Sequence, residues 1–179
     1  MKIEVMVHER AFVVIDGKPV RYLGPGVHRV TAWFKPVRIE KLSVTNLTAE
    51  LDEQRLALVP ANELRVISLE PYQRALISRR GKPVLWLGAG VHQVWTVDRL
   101  VDRKTREVND LVKVDVFDTS AVEAKVLAPD VAALAKAKDY VELVAHEGSV
   151  ALRWVDGQLD AVLPAGRYAA WNTQRTVQF

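Results

Sequence analysis

Along this chain, short stretches alternate apolar and polar residues, and most of them stop at a glycine or a proline. AFVVI (11–15) is an apolar, β-rich run, and VRYL (20–23) alternates sides on the way back. A period of two predicts strands, and Asp16-Gly17 between them predicts a two-residue hairpin. RALIS, Arg80-Gly81 and VLWL repeat the plan around residue 80, and SVALRWV, Asp156-Gly157 and LDAVL repeat it around residue 156. VRIEKL (37–42) and VKVDVF (112–117) share a basic-then-acidic pattern with alternating apolar residues, which predicts a further strand with one buried face.

These stretches are copies of one another. GKPVRYLGPGVH (17–28) returns as GKPVLWLGAGVH (81–92), and at the same shift of 64 Arg10-Ala11 meets Arg74-Ala75 and Val30 meets Val94. At a shift of 140 a fainter copy aligns Ala11 with Ala151, Asp16-Gly17 with Asp156-Gly157, Leu23 with Leu163 and Gly26 with Gly166. Repeats of this kind predict stacked units. The expected units are 1–62, 63–138 and 139–179. The second carries an 11-residue insertion near 98–110, expected as a loop or hairpin extension, and the third is cut short. APDVAALAKAKD (128–139) predicts a short helix starting at Pro129, with Asp130 near its positive end. The expected fold is mainly β with a minor α+β character: tandem repeats of a β-hairpin-plus-strand unit, joined by short helical or loop segments.

Glycine at fixed places has a backbone reason. Gly17, Gly81 and Gly157 fall where a tight primed turn needs positive φ, while Gly24 and Gly26, Gly88 and Gly90, and Gly166 mark a second sharp turn. No phosphate is needed to explain them, because the GxG pairs lack the third glycine and following helix of a dinucleotide site.

Composition narrows the chemistry. The 179 residues are 49% hydrophobic and 26% charged, a globular balance, and a net charge of +3 from interspersed residues argues against nucleic acid. Without cysteine there is no disulfide, thiolate metal site or thiol nucleophile. Neither a signal peptide nor an apolar run long enough for a membrane helix is written in the chain. The expected location is therefore the cytoplasm, with any membrane contact at its periphery.

Candidate catalytic groups are thin. His28 and His92 are repeat-equivalent, but Tyr168 fills that place in the third copy and no second ligand lies at metal spacing, so they read as strand-end structure. His8 and His146 read as turn polarity. There is no GxSxG motif and no carboxylate pair, and no catalytic, metal or cofactor-binding residue is assigned. Lys18 and Arg21 at the first hairpin tip and Arg79, Arg80 and Lys82 at the second are the candidate surface contacts, whereas the third tip carries Asp156, Gln158 and Asp160. Trp86, Trp95, Trp154 and Trp171 are expected in the core or in seams between units.

Val13-Val14-Ile15-Asp16-Gly17 and Leu23-Gly24-Pro25-Gly26-Val27-His28, returning at 77–81 and 87–92 and more weakly at 152–157 and 163–168, resemble the opening of the SPFH, or band 7, domain of the stomatin and prohibitin families. More narrowly, the chain is similar to the N-terminal region of bacterial slipins, in which such hairpins are repeated. The family's hydrophobic anchor, the rest of its band 7 domain and its long oligomerising helix are not matched, and the third unit would be the start of that domain. The resemblance implies a non-enzymatic scaffold or adaptor that binds protein partners or copies of itself, without cofactor, and no catalytic residue carries over. Two alternatives stand beside it: a peripheral membrane or polyanion binder using the basic hairpin tips, and a hydrolase with a site between units.

Overall fold

Asp16 and Gly17 both take positive φ, 52° and 77°, and the same pair of values recurs at Arg80-Gly81 and Asp156-Gly157. Two consecutive positive φ angles define the primed turn whose twist matches paired strands, so each hairpin closes where the sequence pattern places it. In a computed structural model, which describes residues 1–31, 35–101, 108–136 and 139–179, the chain is mainly β, with several small antiparallel sheets and two short helices among the described residues.

The elements open with β1 (Lys2–Val5), β2 (Glu9–Ile15), β3 (Lys18–Leu23), β4 (Gly26–Arg29) and β5 (Val37–Ser43). After β6 (Thr48–Ala49) and α1 (Glu53–Leu56) come β7 (Leu64–Leu69), β8 (Gln73–Arg79), β9 (Lys82–Leu87) and β10 (Gly90–Trp95). The chain continues through β11 (Arg99–Val101), β12 (Val108–Asp110), β13 (Val112–Asp118) and α2 (Pro129–Ala135). It ends with β14 (Tyr140–Ala145), β15 (Ala151–Val155), β16 (Gln158–Leu163), β17 (Gly166–Trp171) and β18 (Val177–Gln178).

Contacts gather into two compact units, one of residues 1–67 with 92–110 and one of residues 68–91 with 111–179. In the first, β1 pairs with β4, the sheet β3-β2-β5 carries the first hairpin, and β10 lies between β6 and β7. In the second, β14 pairs with β17, and the sheets β13-β8-β9 and β16-β15-β18 carry the other two hairpins. The plan of a hairpin flanked by a returning strand thus occurs three times. β11 and β12 form the small hairpin expected of the insertion, pairing Arg99 with Asp110 and Val101 with Val108, although residues 102–107 lie outside the described residues.

The three hairpins agree in detail. Each has one irregularity of register, between Val13 and Val14, between Ile77 and Ser78, and between Arg153 and Trp154, so that an extra residue bulges from the returning strand. Pro19 and Pro83 sit on β3 and β9, edge strands of their sheets, where a missing backbone donor costs no ladder bond. Alternation along β2 sends Ala11 and Val13 into a cluster with Ile3, Val5, Leu23 and Val30, and leaves Arg10 and Phe12 on the opposite face.

The second turn divides the remaining glycines. Gly26 and Gly90 adopt φ of 132° and 122°, whereas Gly24, Gly88 and Gly166 do not have positive φ. At Gly166 the constraint is proximity instead, since an added Cβ would lie 3.1 Å from the Tyr168 hydroxyl. Gly81→Ala is expected to destabilise the second compact unit by about 1–2 kcal/mol, the cost of a left-handed backbone with a Cβ. Gly24→Ala, with no atom within 4 Å of the new methyl, should stay within about 0.5 kcal/mol of the parent in urea unfolding.

Candidate functional site

Arginine is seldom found inside a strand facing the protein interior, yet Arg10 on β2 and Arg74 on β8 are both buried. Each is held in the same way. Arg10 Nη1 donates to the carbonyls of Val7 (3.0 Å) and Glu9 (2.7 Å), and Arg74 Nη1 to those of Pro71 (2.9 Å) and Gln73 (2.8 Å). Their remaining donors reach a carboxylate from the segment that follows the sheet. Arg10 Nε donates to Glu63 Oε2 at 2.6 Å, while Arg74 forms a two-pronged pair with Asp139, 2.9 Å from Nε to Oδ2 and 3.1 Å from Nη2 to Oδ1.

A third group completes each node. The Tyr22 hydroxyl donates to Glu63 Oε2 at 2.5 Å, and Trp86 Nε1 donates to Asp139 Oδ2 at 2.8 Å. Tyr22 and Trp86 stand at one repeat position, as do Arg10 and Arg74. Burial, and after it the neighbouring Glu63 carboxylate, push the Tyr22 phenol far above its usual range, so it remains a donor at any physiological pH. The carboxylates also sit at matching places, each just ahead of a strand: Thr96 N donates to Glu63 O at 2.8 Å and Asn172 N to Asp139 O at 2.7 Å. These nodes fasten a following segment onto the outer face of the hairpin sheet.

Apolar packing reinforces the fastening. Ala132 and Ala135 of α2 lie in one cluster with Leu76 and Trp86, where Trp86 stacks on Trp171 at 6.1 Å and Tyr140 meets Trp171 edge-on at 5.6 Å. Pro129 and Asp130 begin α2 as the pattern of 128–139 indicates; positions 137 and 138 of that stretch lie outside the described residues. Helix α1, absent from the sequence reading, is capped by Asp52, whose Oδ1 accepts from Arg55 N at 2.8 Å. In the first compact unit Phe12 is fully buried and lies edge-on to Tyr22 at 5.5 Å.

The expected surface contacts fall on hairpin tips. Lys18 and Arg21 are exposed on β3, in the compact unit that also ion-pairs Asp16 with Lys35 at 3.0 Å. Arg79, Arg80 and Lys82 share one turn: Arg79 lies opposite Lys82, and Arg80 N donates to Leu111 O at 2.7 Å. The third tip is tied down by its own acid. Asp156 accepts from Arg175 Nε at 2.7 Å and from Thr176 N at 2.9 Å, and these bonds, the Arg175 one first, hold its carboxyl below the usual range. His28 Nε2 donates to Gly24 O at 2.8 Å, and Tyr168, in the equivalent place, donates to Pro164 O at 2.9 Å. Histidine and tyrosine therefore perform one task, closing the second turn.

Beside Asp156, Trp154, Gly157, Thr176 and Gln178 line an open groove of about 340 Å³. It sets no histidine or second carboxylate against Asp156. Among the described residues no three histidine, aspartate or glutamate side chains gather at metal-binding distance, and no buried side-chain polar atom lacks a hydrogen-bond partner. No described helix is long and apolar enough to cross a membrane.

The arginine nodes escaped the sequence reading, although their signal is present in it: an arginine repeated at 10 and 74 at the head of an apolar strand, with an aromatic residue repeated twelve positions later. The fold and its polar nodes define a mainly β protein in which following segments pack onto two of the hairpin sheets. Compared with protein-family models, curated proteins and solved structures, the chain has no significant match.

Proposed function

We propose that this chain is a stomatin-like, slipin-type scaffold or adaptor module, non-enzymatic, that holds protein partners or copies of itself and works in the cytoplasm or at the membrane periphery. The observation that carries this reading is the twofold use of one device, a hairpin sheet whose outer face receives a following segment. Those segments are held within the chain through Arg10 and Arg74. The Gly-Pro-Gly-Val-His turn, closed by His28, supports the family comparison.

Light scattering across a concentration series tests it. A mass that rises from one chain toward two or more supports the self-assembling form, and a mass fixed at one chain removes that form. The cluster of Arg79, Arg80 and Lys82 on a single turn favours a second reading, weak attraction to anionic surfaces. Arg79→Glu with Lys82→Glu should then reduce sedimentation with phosphatidylserine vesicles at low salt at least tenfold. Equal binding by parent and variant would remove this second reading.

A further inference from the structure

We infer that β13 is the edge through which two copies of this chain join, each β13 pairing antiparallel with the other across a two-fold axis at Val114. The inference rests on the self-assembling form of the proposed function and names its surface.

β13 lies at the end of the sheet β13-β8-β9, and among the described residues β8 is the one strand it pairs with. The open side belongs to the repeat: β5, the matching strand of the first hairpin sheet, likewise pairs with β2 alone, although the rest of the chain follows it. Which backbone groups of β13 point outward follows from the two bonds that bracket the strand. Arg80 N donates to Leu111 O at 2.7 Å and Thr119 N to Tyr72 O at 2.8 Å. The odd-numbered residues therefore bond to β8, and Val112, Val114 and Val116 turn their N–H and C=O groups to the open side. Such an edge is a template for another strand.

Charge decides which strand fits. Lys113 and Asp115 are exposed on one face of β13, and neither forms an ion pair with a described residue. With Val114 opposite Val114, Lys113 stands opposite Asp115 of the second copy and Asp115 opposite its Lys113, at the non-hydrogen-bonded positions where side chains come closest. A slip of two residues either way sets Lys113 against Lys113 or Asp115 against Asp115, and a slip of one faces open backbone groups with groups already bonded to β8. The charges thus select one register as well as the partner. On the other face the same register lays Val116, which is 54% exposed, against the buried Val112 of the second copy. Pairing stops there because the chain bends at Leu111.

β5 carries the same alternation at Arg38 and Glu40, but its charges are in use. Glu40 accepts from Arg55 Nη2 at 2.6 Å, and Lys41, in the place of Val116, donates to Glu9 Oε2 at 2.9 Å. A lysine directed at an open edge discourages pairing. The join is therefore β13 to β13, which closes as a dimer, and not β13 to β5, which would run on as an open chain.

Charge exchange tests the pairing without touching the core, since Lys113 and Asp115 are both exposed. Lys113→Asp and Asp115→Lys should each weaken dimerisation at least tenfold by light scattering, with the far-ultraviolet circular dichroism unchanged, because each makes both opposed pairs like-charged. The dimer should return in the double variant Lys113→Asp with Asp115→Lys. It should return as well in an equimolar mixture of the two single variants, where every pair again has opposite signs. Arg38→Asp on β5 should dimerise as the wild type does. Wild-type assembly that both single variants retain, or that is lost in them without recovery in the mixture, overturns this surface and leaves the self-assembling form standing, as does dispersal by Arg38→Asp. A wild-type mass fixed at one chain overturns both.

Discussion

Asp139→Ala is expected to lower the stability of the second compact unit by about 3–5 kcal/mol, the cost of leaving a buried charge without its partner. The argument starts from Arg74, which is 8% exposed and directs two donors at the lost carboxylate. Trp86 Nε1 loses its acceptor as well. Alanine offers no substitute oxygen, and water can reach the site only by loosening the cluster around Trp86. Asp139→Asn retains an acceptor and should cost clearly less. Arg74→Met combined with Asp139→Leu, which removes both charges, should recover much of the loss, because the pair's own desolvation penalty disappears with it. Urea unfolding followed by circular dichroism and tryptophan fluorescence measures all three. A loss below about 1 kcal/mol for Asp139→Ala, the range of a surface ion pair, would show that water already reaches this pair.

The second large effect is expected at Trp171. Trp171→Ala should cost about 3–5 kcal/mol, because the indole is 6% exposed and packs at once against Trp86, Phe117 and Tyr140. Trp154 is the natural control. It stands on the bare face of β15 at 39% exposure, so Trp154→Ala should cost no more than about 1 kcal/mol. Equal losses from the two substitutions would contradict the difference in burial between them. The sequence expectation that tryptophans fill cores holds for Trp86, Trp95 and Trp171, and Trp154 departs from it.

Where the chain writes a local rule, the structure follows it closely. Asp16-Gly17 and Asp156-Gly157 predict primed turns, and Arg80-Gly81 adopts the same φ values although arginine is a poor residue for positive φ. There the repeat itself, aligning 80 with 16, was the better guide than residue preference. The helix at Pro129 was legible for similar reasons, because a proline at the first position and a run of alanines act within a few residues. Four-residue α1 was not legible, since its stretch mixes charged and apolar residues without a clear period and its stability comes from the Asp52 cap and from packing of Leu56 beside Trp95 and Leu64.

The sites divide along the same line. Hairpin-tip residues could be named in advance because a tip is a local feature, and Lys18, Arg21, Arg79, Arg80 and Lys82 all sit on hairpins. Pairing Arg10 with Glu63, 53 residues away, or Arg74 with Asp139, 65 residues away, requires knowing which segment returns to which sheet. By itself the amino-acid sequence determined the strand period, the turn positions and the mainly β class, because alternation and Cβ sterics act between near neighbours. Only the tertiary structure decided which segments cover the first two hairpin faces, because coverage depends on distant segments reaching a face and on a buried arginine being there to hold them.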